Sequence, residues 1–390
     1  MKHYDLIIVG LGGMGSAALY QAAKRGARVL GIDRFDPPHE MGSSHAETRI
    51  TRLAVGEGPA YVPLVARSHE IWRELEAQSG EELLIQNGLY IIVPKTFTKL
   101  EYNHWENFVE RSAEMAEQNE LPYELRSAAE IRAHHPQIFA SDNDHSIFEP
   151  TAGVVMSERA IAMQIKLAKQ MGADVLPNSP VSAVEQNGDQ VIVRVADESF
   201  SADKVIVSAG PWASDFVPEL QKPNFRVTRQ VVYWFEVEDL DRYSPENFPS
   251  ILWVGETLEE YFGAFTVPAG STPGLKLLTE QYVDAFDPNT ASRTVEQHEI
   301  DWFYENLASK RLAGVKPNCI KAKVCLYTNT PDDNFLLDWH PESDRVLIAS
   351  PCSGHGFKHS AAIGEGLVQM ALDGKSQISF EAFKFDKMNR

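Results

Sequence analysis

Leu6-Ile7-Ile8-Val9-Gly10-Leu11-Gly12-Gly13-Met14-Gly15-Ser16-Ala17-Ala18-Leu19 is the stretch that decides the fold. Four apolar residues make a short strand. Gly10, Gly12 and Gly15 follow in a G-x-G-x-x-G pattern, and Ser16 begins a helical run. The first glycine lets the chain turn, the second lets a pyrophosphate approach the backbone, and the third lets helix pack on strand. The helix N-terminus then offers free N–H groups to phosphates. Arg28-Val29-Leu30-Gly31-Ile32 reads as a second strand ending at Asp33, where a carboxylate is needed to accept hydrogen bonds from ribose hydroxyls. The pattern suits FAD and NAD alike, and a glycine-rich turn without a ligand is its bland alternative.

Outward from this motif, the chain has 390 residues, enough for one large domain or two to three modest ones. Hydrophobic residues at 43% supply an ample core. A formal charge of −19 argues against general affinity for nucleic acid or anionic membranes. No apolar run approaches the length of a membrane span, and no signal peptide is recognisable. Cys319, Cys325 and Cys352 are the only cysteines; an odd count without metal spacing suggests a reducing, cytoplasmic setting and no disulfide framework. No metal site is expected: His134-His135 are adjacent and point apart in regular structure, and no H-E-x-x-H or C-x-x-C occurs.

The order of elements predicts a discontinuous α/β architecture. Residues 62–78 carry helical periodicity at Leu64, Ile71, Trp72 and Leu75, and Leu89-Tyr90-Ile91-Ile92-Val93 reads as a strand. Residues 96–138 look charged and mostly helical. Ser157 is a plausible N-cap for a helix that stops at Gly172. Asn187-Gly188 signals a hairpin, and residues 204–210 a buried strand returning to the nucleotide sheet. Residues 225–286 look β-rich, a separate sheet. Val346-Leu347-Ile348-Ala349 is a strand, Ser353-Gly354-His355-Gly356 a loop, and 361–372 a helix. The expected fold is α/β in two domains: a Rossmann-like FAD-binding domain from 1–85, 150–215 and 325–390, interleaved with a substrate domain from 86–149 and 216–324 on a mainly antiparallel sheet.

Four clusters carry candidate chemistry. In His45-x-x-x-Arg49-x-x-Arg52 two arginines three apart share one side of a helix or turn and suit a carboxylate or a reduced cofactor, or are simply solvated. Lys276, inside Leu275-Lys276-Leu277-Leu278, is either a strand residue facing solvent or a cation in a cavity. Cys325, in Cys325-Leu326-Tyr327-Thr328, reads on its own as a small buried hydrophobe. In Cys352-Ser353-Gly354-His355-Gly356-Phe357-Lys358, Gly354 and Gly356 allow close backbone approach to a ligand, and Lys358 suits an anion or is a surface lysine.

These clusters coincide in one family. Asp5-Leu6-Ile7-Ile8-Val9-Gly10-x-Gly12, Gly42-Ser43-Ser44-His45-x-x-Thr48-Arg49, Gly56-Glu57-Gly58, Val207-x-Ala209-Gly210-x-Trp212, Cys325-x-Tyr327-Thr328-x-Thr330-Pro331-Asp332 and Ser353-Gly354-His355-Gly356-Phe357-Lys358 resemble the monomeric sarcosine oxidase and N-methyltryptophan oxidase group along nearly the whole chain. The resemblance implies FAD, held by Gly10, Gly12, Gly15, Asp33, Ser43, Ser44, Gly354 and Gly356 and bonded covalently to Cys325. It implies oxidation of a secondary amino acid, N-methyl or cyclic, through an imine to an aldehyde and an amine. Molecular oxygen would be the acceptor, hydrogen peroxide the product and the protein a monomer. Arg52 and Lys358 match a pair that clamps the substrate carboxylate. Arg49 and His45 match residues close to the flavin, Lys276 a lysine assisting reaction with oxygen, and Tyr327 a cavity wall. A buried cation at Lys276 would stabilise superoxide.

The chain also departs from the family. A cavity tyrosine is replaced by Phe262, a histidine four residues beyond the lysine by Glu280, and a tyrosine three beyond Arg52 by Val55. Sarcosine is therefore not expected to be the best substrate. Glu280 either favours a second cationic group or faces solvent. Rival readings are a flavin dehydrogenase using another acceptor, a non-catalytic flavin-binding protein, and an NAD dehydrogenase, which would leave the Cys325 and Lys358 segments without a role.

Overall fold

The computed structural model describes residues 1–97, 107–255, 257–281 and 287–388, apart from the side chains of Pro223 and Leu258. The opening motif folds as β1 (Lys2–Val9), α1 (Gly13–Lys24) and β2 (Val29–Ile32). Its strand is apolar and buried from Leu6 to Val9, where it lies inside an eight-stranded sheet. β1 pairs in parallel with β2 on one side and with the strand Glu198–Val207 on the other, Leu6 opposite Lys204 and Val9 opposite Val207. The strand expected at 204–210 does return to this sheet, ending at Val207, and Val346–Ser350 pairs in parallel beside its residues Val205–Val207. Parallel pairing needs crossovers, so helices cover the sheet. α1, Ser157–Gln170 and Ser360–Asp373 share one apolar core through Leu19, Ile161 and Leu367.

A second eight-stranded sheet runs Val315–Asn329, Arg226–Val237, Leu275–Thr279, Phe262–Ala264, Ser250–Trp253, Leu89–Pro94, Asp144–Glu149, Glu124–Ser127. Its pairings are antiparallel except between Ser250–Trp253 and Leu89–Pro94. One face holds an aromatic core in which the Phe303 ring stacks against Tyr233 and Phe262. Val315–Asn329 stays paired with Arg226–Val237 from Val315 to Asn329. The expected boundary between 324 and 325 therefore falls inside a continuous strand, and Cys325 and Tyr327 sit on the second sheet. A three-stranded sheet, Thr48–Thr51, Gly153–Met156 and Leu84–Ile85, completes the fold.

Local readings shift where tertiary contacts compete. Ser157 lies in the first helical turn, its hydroxyl bonded to the Glu47 carbonyl, and Met156 holds the cap position. The hairpin keeps Asn187 in the ladder opposite Gln190, so its loop is Gly188-Asp189. The stretch expected to be mostly helical contains helices Phe108–Gln118 and Ala128–His134, but also the edge strand Glu124–Ser127; residues 98–106 of that expectation, and 282–286 of the β-rich one, lie outside the described residues. His134 and His135 do not point apart: the helix ends between them and the rings stack 6.5 Å apart. Among the described residues no helix is long and apolar enough to cross a membrane, and no cluster of three or more His, Cys, Asp or Glu could hold a metal ion.

Candidate active site

The glycine turn opens onto a long crevice. Gly10 has φ +87°, and a Cβ there would lie 2.4 Å from the Ser208 carbonyl oxygen; a Cβ on Gly15 would lie 1.7 Å from the Gly10 carbonyl oxygen. Gly12 is different, because a Cβ there would approach only the Ser44 hydroxyl, at 3.7 Å, and would project toward the crevice it lines. Gly12 itself supplies no capping side chain, so apart from Gly13 the first-turn N–H groups of α1 have no side-chain acceptor among the described residues and suit an anion. Ser44 Oγ accepts the Gly13 N–H, at 3.3 Å. Asp33 is buried at the end of β2 and accepts the Leu11 N–H at 2.7 Å and the Phe35 N–H at 2.8 Å, one on each oxygen. A carboxylate has about four acceptor sites, so Asp33 fixes the turn and still faces the crevice with lone pairs to spare. Uncapped N–H groups, the bare Gly12 and this acid fit an FAD nucleotide, and Gly354 and Gly356 line the same crevice further on.

Beyond Gly354 the crevice meets a second cavity. Arg49, Tyr327, Gly354 and Phe357 line both. Arg49 reaches this junction from the strand Thr48–Thr51, donating to the Thr48 carbonyl at 2.8 Å and the Ser43 carbonyl at 2.5 Å, with Nη2 3.7 Å from Cys325 Sγ. Ser43 in turn donates its hydroxyl to the Leu326 carbonyl. Cys325 is fully buried. Burial pushes its thiol up, but His45, and then Arg49 and Lys276, act the other way and bring it down to about 6. The sequence reading of Cys325 as a small hydrophobe gives way here to a thiol disposed to ionise. His45 is buried with neither ring nitrogen hydrogen-bonded among the described residues, and it lines neither cavity.

Lys276 faces the second cavity, not solvent. Its Nζ donates to the Ala46 and Thr48 carbonyls, each at 2.7 Å, and sits 4.0 Å from the centre of the Phe265 ring. Ala46 and Glu47 hold φ of 73° and 69°, a left-handed conformation that costs L-residues energy. The Glu47 carboxylate anchors that strained turn: it accepts from Lys321 at 2.9 Å and from the hydroxyl of Thr272. Burial, then the neighbouring Arg49, hold the Lys276 ammonium well below the usual lysine range.

Arg52 and Lys358 do meet, across a carboxylate that the chain itself provides. Arg52 Nη2 donates to both oxygens of Glu57 at 2.7 Å, and Lys358 Nζ donates to Glu57 Oε1 at 3.0 Å. Arg52 is aimed by Glu149, which is buried and accepts the N–H groups of Leu53 and Ala54 at 2.8 and 3.0 Å. Lys358 follows the glycine loop in a short 3-10 turn and also donates to the His355 carbonyl at 2.9 Å. Burial lowers the Lys358 ammonium to about 8, which Glu57 only partly offsets. For Glu57, burial works upward, but Arg52 and Lys358 prevail and hold the carboxyl well below its usual value. The resemblance implies no role for Glu57, which stands within Gly56-Glu57-Gly58. The available signal was an acid between two glycines, five residues after an arginine.

Two other placements differ from expectation or decide it. Phe262 does not line the cavity; its side chain points to the opposite face of the sheet, against Phe303, and the neighbouring Tyr261 lines the cavity instead. One residue of register moves a side chain to the other face of a strand. Glu280 faces the cavity and accepts the Tyr327 hydroxyl at 3.3 Å. Val55 is fully buried in the helical core.

Comparison with known proteins agrees with this geometry. The model of the FAD dependent oxidoreductase family matches residues 5–370. The chain is 37% identical to monomeric sarcosine oxidase of Bacillus sp. (strain B-0618), over 99% of this chain and 96% of that one. It is 36% identical to N-methyl-L-tryptophan oxidase of Yersinia pestis (strain Pestoides F), over 97% and 98%. Among solved structures, NikD, an unusual amino acid oxidase essential for nikkomycin biosynthesis, superposes with a TM-score of 0.82 over 98% of both chains, at 19% identity. With a family model matched over residues 5–370 and curated relatives similar over nearly its whole length, the chain belongs to the FAD dependent oxidoreductase family.

Proposed function

We propose that the protein oxidises a secondary amino acid, N-methyl or cyclic, at a carbon attached to nitrogen, with oxygen as acceptor. A substrate R–NH–CH3 would lose two electrons and two protons to give an imine, which water hydrolyses to R–NH2 and formaldehyde while oxygen becomes hydrogen peroxide. The observation that carries this reading is the Glu57 carboxylate between Arg52 and Lys358. That arrangement supports a pocket for an anion, in a cavity that shares lining residues with the nucleotide crevice.

Bound FAD supplies the two-electron chemistry. The chain's residues supply position and charge. A substrate carboxylate replaces Glu57 at Arg52 and Lys358 and is gripped by charge-assisted hydrogen bonds. This fixes the amine relative to the junction lined by Arg49 and Tyr327, and such orientation contributes much of a rate enhancement. Gly10, Gly12, Gly15, Asp33, Ser43, Ser44, Gly354 and Gly356 hold the cofactor. Cys325 is its covalent anchor, a role supported by its burial beside His45 and Arg49. Lys276 serves the reaction with oxygen. We assign 1–85, 150–215 and 330–390 to the cofactor domain and 86–149 and 216–329 to the substrate domain, the boundary moved to the end of Val315–Asn329. A cytoplasmic setting is supported by Cys319, Cys325 and Cys352 standing as free thiols, and a monomer by the similarity to monomeric sarcosine oxidase.

The test is an anaerobic screen of N-methyl and cyclic amino acids with the purified holoenzyme. Loss of flavin absorbance with at least one of them, and peroxide on admitting air, is the expected result. A flavin that no such amine bleaches overturns the reading.

A further inference from the structure

We propose that Glu47, which lines neither cavity, is a positioning residue for Lys276: its carboxylate holds the left-handed turn Ala46–Thr48 in the shape that presents two carbonyls to the Lys276 ammonium, and so fixes where that cation stands for the reaction with oxygen. This rests on the role given to Lys276 above and deepens it.

Lys276 lies directly opposite Trp234, and Trp234 directly opposite Lys321, on three neighbouring antiparallel strands. Residues opposite one another share a face of the sheet. The two lysines therefore flank one indole, with Lys276 Nζ 5.8 Å and Lys321 Nζ 4.5 Å from the centre of its ring. The turn Ala46–Thr48 is tied to both ends of this row. At one end Lys276 Nζ donates to the Ala46 and Thr48 carbonyls, each at 2.7 Å, and to the Thr48 hydroxyl at 3.2 Å. An ammonium has three protons, so these three acceptors set its direction. At the other end Lys321 Nζ donates to Glu47 Oε1 at 2.9 Å, and the Trp234 indole N–H donates to Glu47 Oε2 at 3.3 Å. Thr272, four residues before Lys276, adds its hydroxyl and, at 3.4 Å, its N–H to the same carboxylate.

The strain in the turn gives these bonds their purpose. Two consecutive L-residues at φ 73° and 69° keep that conformation only where their surroundings over-determine it. The backbone of Glu47 is fastened to the helix Ser157–Gln170: its N–H donates to the Glu158 carboxylate at 2.7 Å, and its carbonyl accepts the Ser157 N–H at 2.9 Å. The side chain of Glu47 fastens the turn to the second sheet, on which Lys276 stands. Without that tie the turn relaxes toward ordinary backbone angles and the two carbonyls shift. A lysine on a flexible four-carbon stem then loses its fixed place. Misplacing a reacting group by about 1 Å costs up to roughly 10²-fold in rate.

The experiment follows reoxidation by oxygen of holoenzyme reduced with dithionite, so that no amine substrate is needed. Glu47→Ala should react with oxygen roughly tenfold more slowly than wild type, a part of what loss of the whole cation costs. In a Lys276→Met background the same substitution should change the rate by less than about twofold, because the two residues act as one unit. The Kd for acetate, which reads the Arg52 and Lys358 end of the cavity, should stay within about twofold of wild type. Lys321→Met should slow the reaction in the same sense and Lys321→Arg should restore it, and this pair decides the matter if Glu47→Ala does not fold. An undiminished rate in the folded variant, an equal slowing with and without Lys276, or a matching loss of acetate affinity overturns this inference and leaves the oxidase reading standing. A wild-type rate that Lys276→Met does not lower overturns the oxygen role of Lys276 and this inference together.

Discussion

Arg52 and Glu57, five residues apart, form a buried pair in which one Nη2 lies 2.7 Å from both carboxylate oxygens. Lys358 donates to the same carboxylate at 3.0 Å, so Arg52 and Lys358 share one internal anion. On the proposed function, Glu57 is both a stabiliser of the free protein and a competitor of the substrate carboxylate.

Glu57→Gln separates those two effects. Removing one partner of a buried pair typically costs about 3–5 kcal/mol, because the remaining charge stays buried. The variant should melt several degrees lower than wild type. It should also be stabilised more strongly than wild type by an unreactive carboxylate such as acetate, which refills the site. Equal thermal shifts with acetate in both proteins would contradict the competitor role.

Lys358 gives the site a pH dependence whose sign is fixed. Its ammonium loses the proton at about 8 in the free protein, well below an ordinary lysine. Below that pH both cations grip an anion; above it only Arg52 does. The Kd for acetate, followed by perturbation of the flavin spectrum, should be flat below pH 8 and rise by up to roughly tenfold per unit above it. Lys358→Met should bind weakly and lack the break. A break at the same pH in that variant would assign the titration to another group.

Cys325→Ser should yield protein whose yellow colour is released by acid precipitation, while wild-type precipitate stays yellow. Release from both, or retention by both, would remove Cys325 as the anchor.

Lys276→Met should slow reoxidation of the reduced enzyme by oxygen by roughly 10²-fold or more, the scale of losing one well-placed electrostatic group. Anaerobic reduction by substrate should change far less. Stopped-flow traces of the two half-reactions distinguish these, and equal slowing of both would show a structural role only.

The nucleotide half of the molecule was legible because its signals are local. A strand, three glycines, a helix and an acid occur within residues 6–33, and the contacts they specify, such as Leu11 N–H to Asp33, lie within the same unit. The second sheet was legible only in part. Glu124–Ser127 is a short edge strand in which only Arg126 is buried, with no apolar run, so it read as helix. Lys276 and Cys325 had no distinctive local pattern. What makes them unusual is burial against a turn more than two hundred residues away for Lys276, and against His45 and Arg49 for Cys325. Tyr261 and Phe262 show the limit most sharply: both are buried aromatics, and only strand register says which one faces the cavity.

The most direct test of the central claim, that Arg52 and Lys358 position an amino acid by its carboxylate, uses anaerobic reduction of the flavin by an N-methyl amino acid and by its carboxamide. Wild type should be reduced by the acid with a kcat/KM roughly 100-fold or more above that for the amide, and Lys358→Met should lose most of the difference. Equal efficiency with acid and amide in the wild-type enzyme would contradict the account.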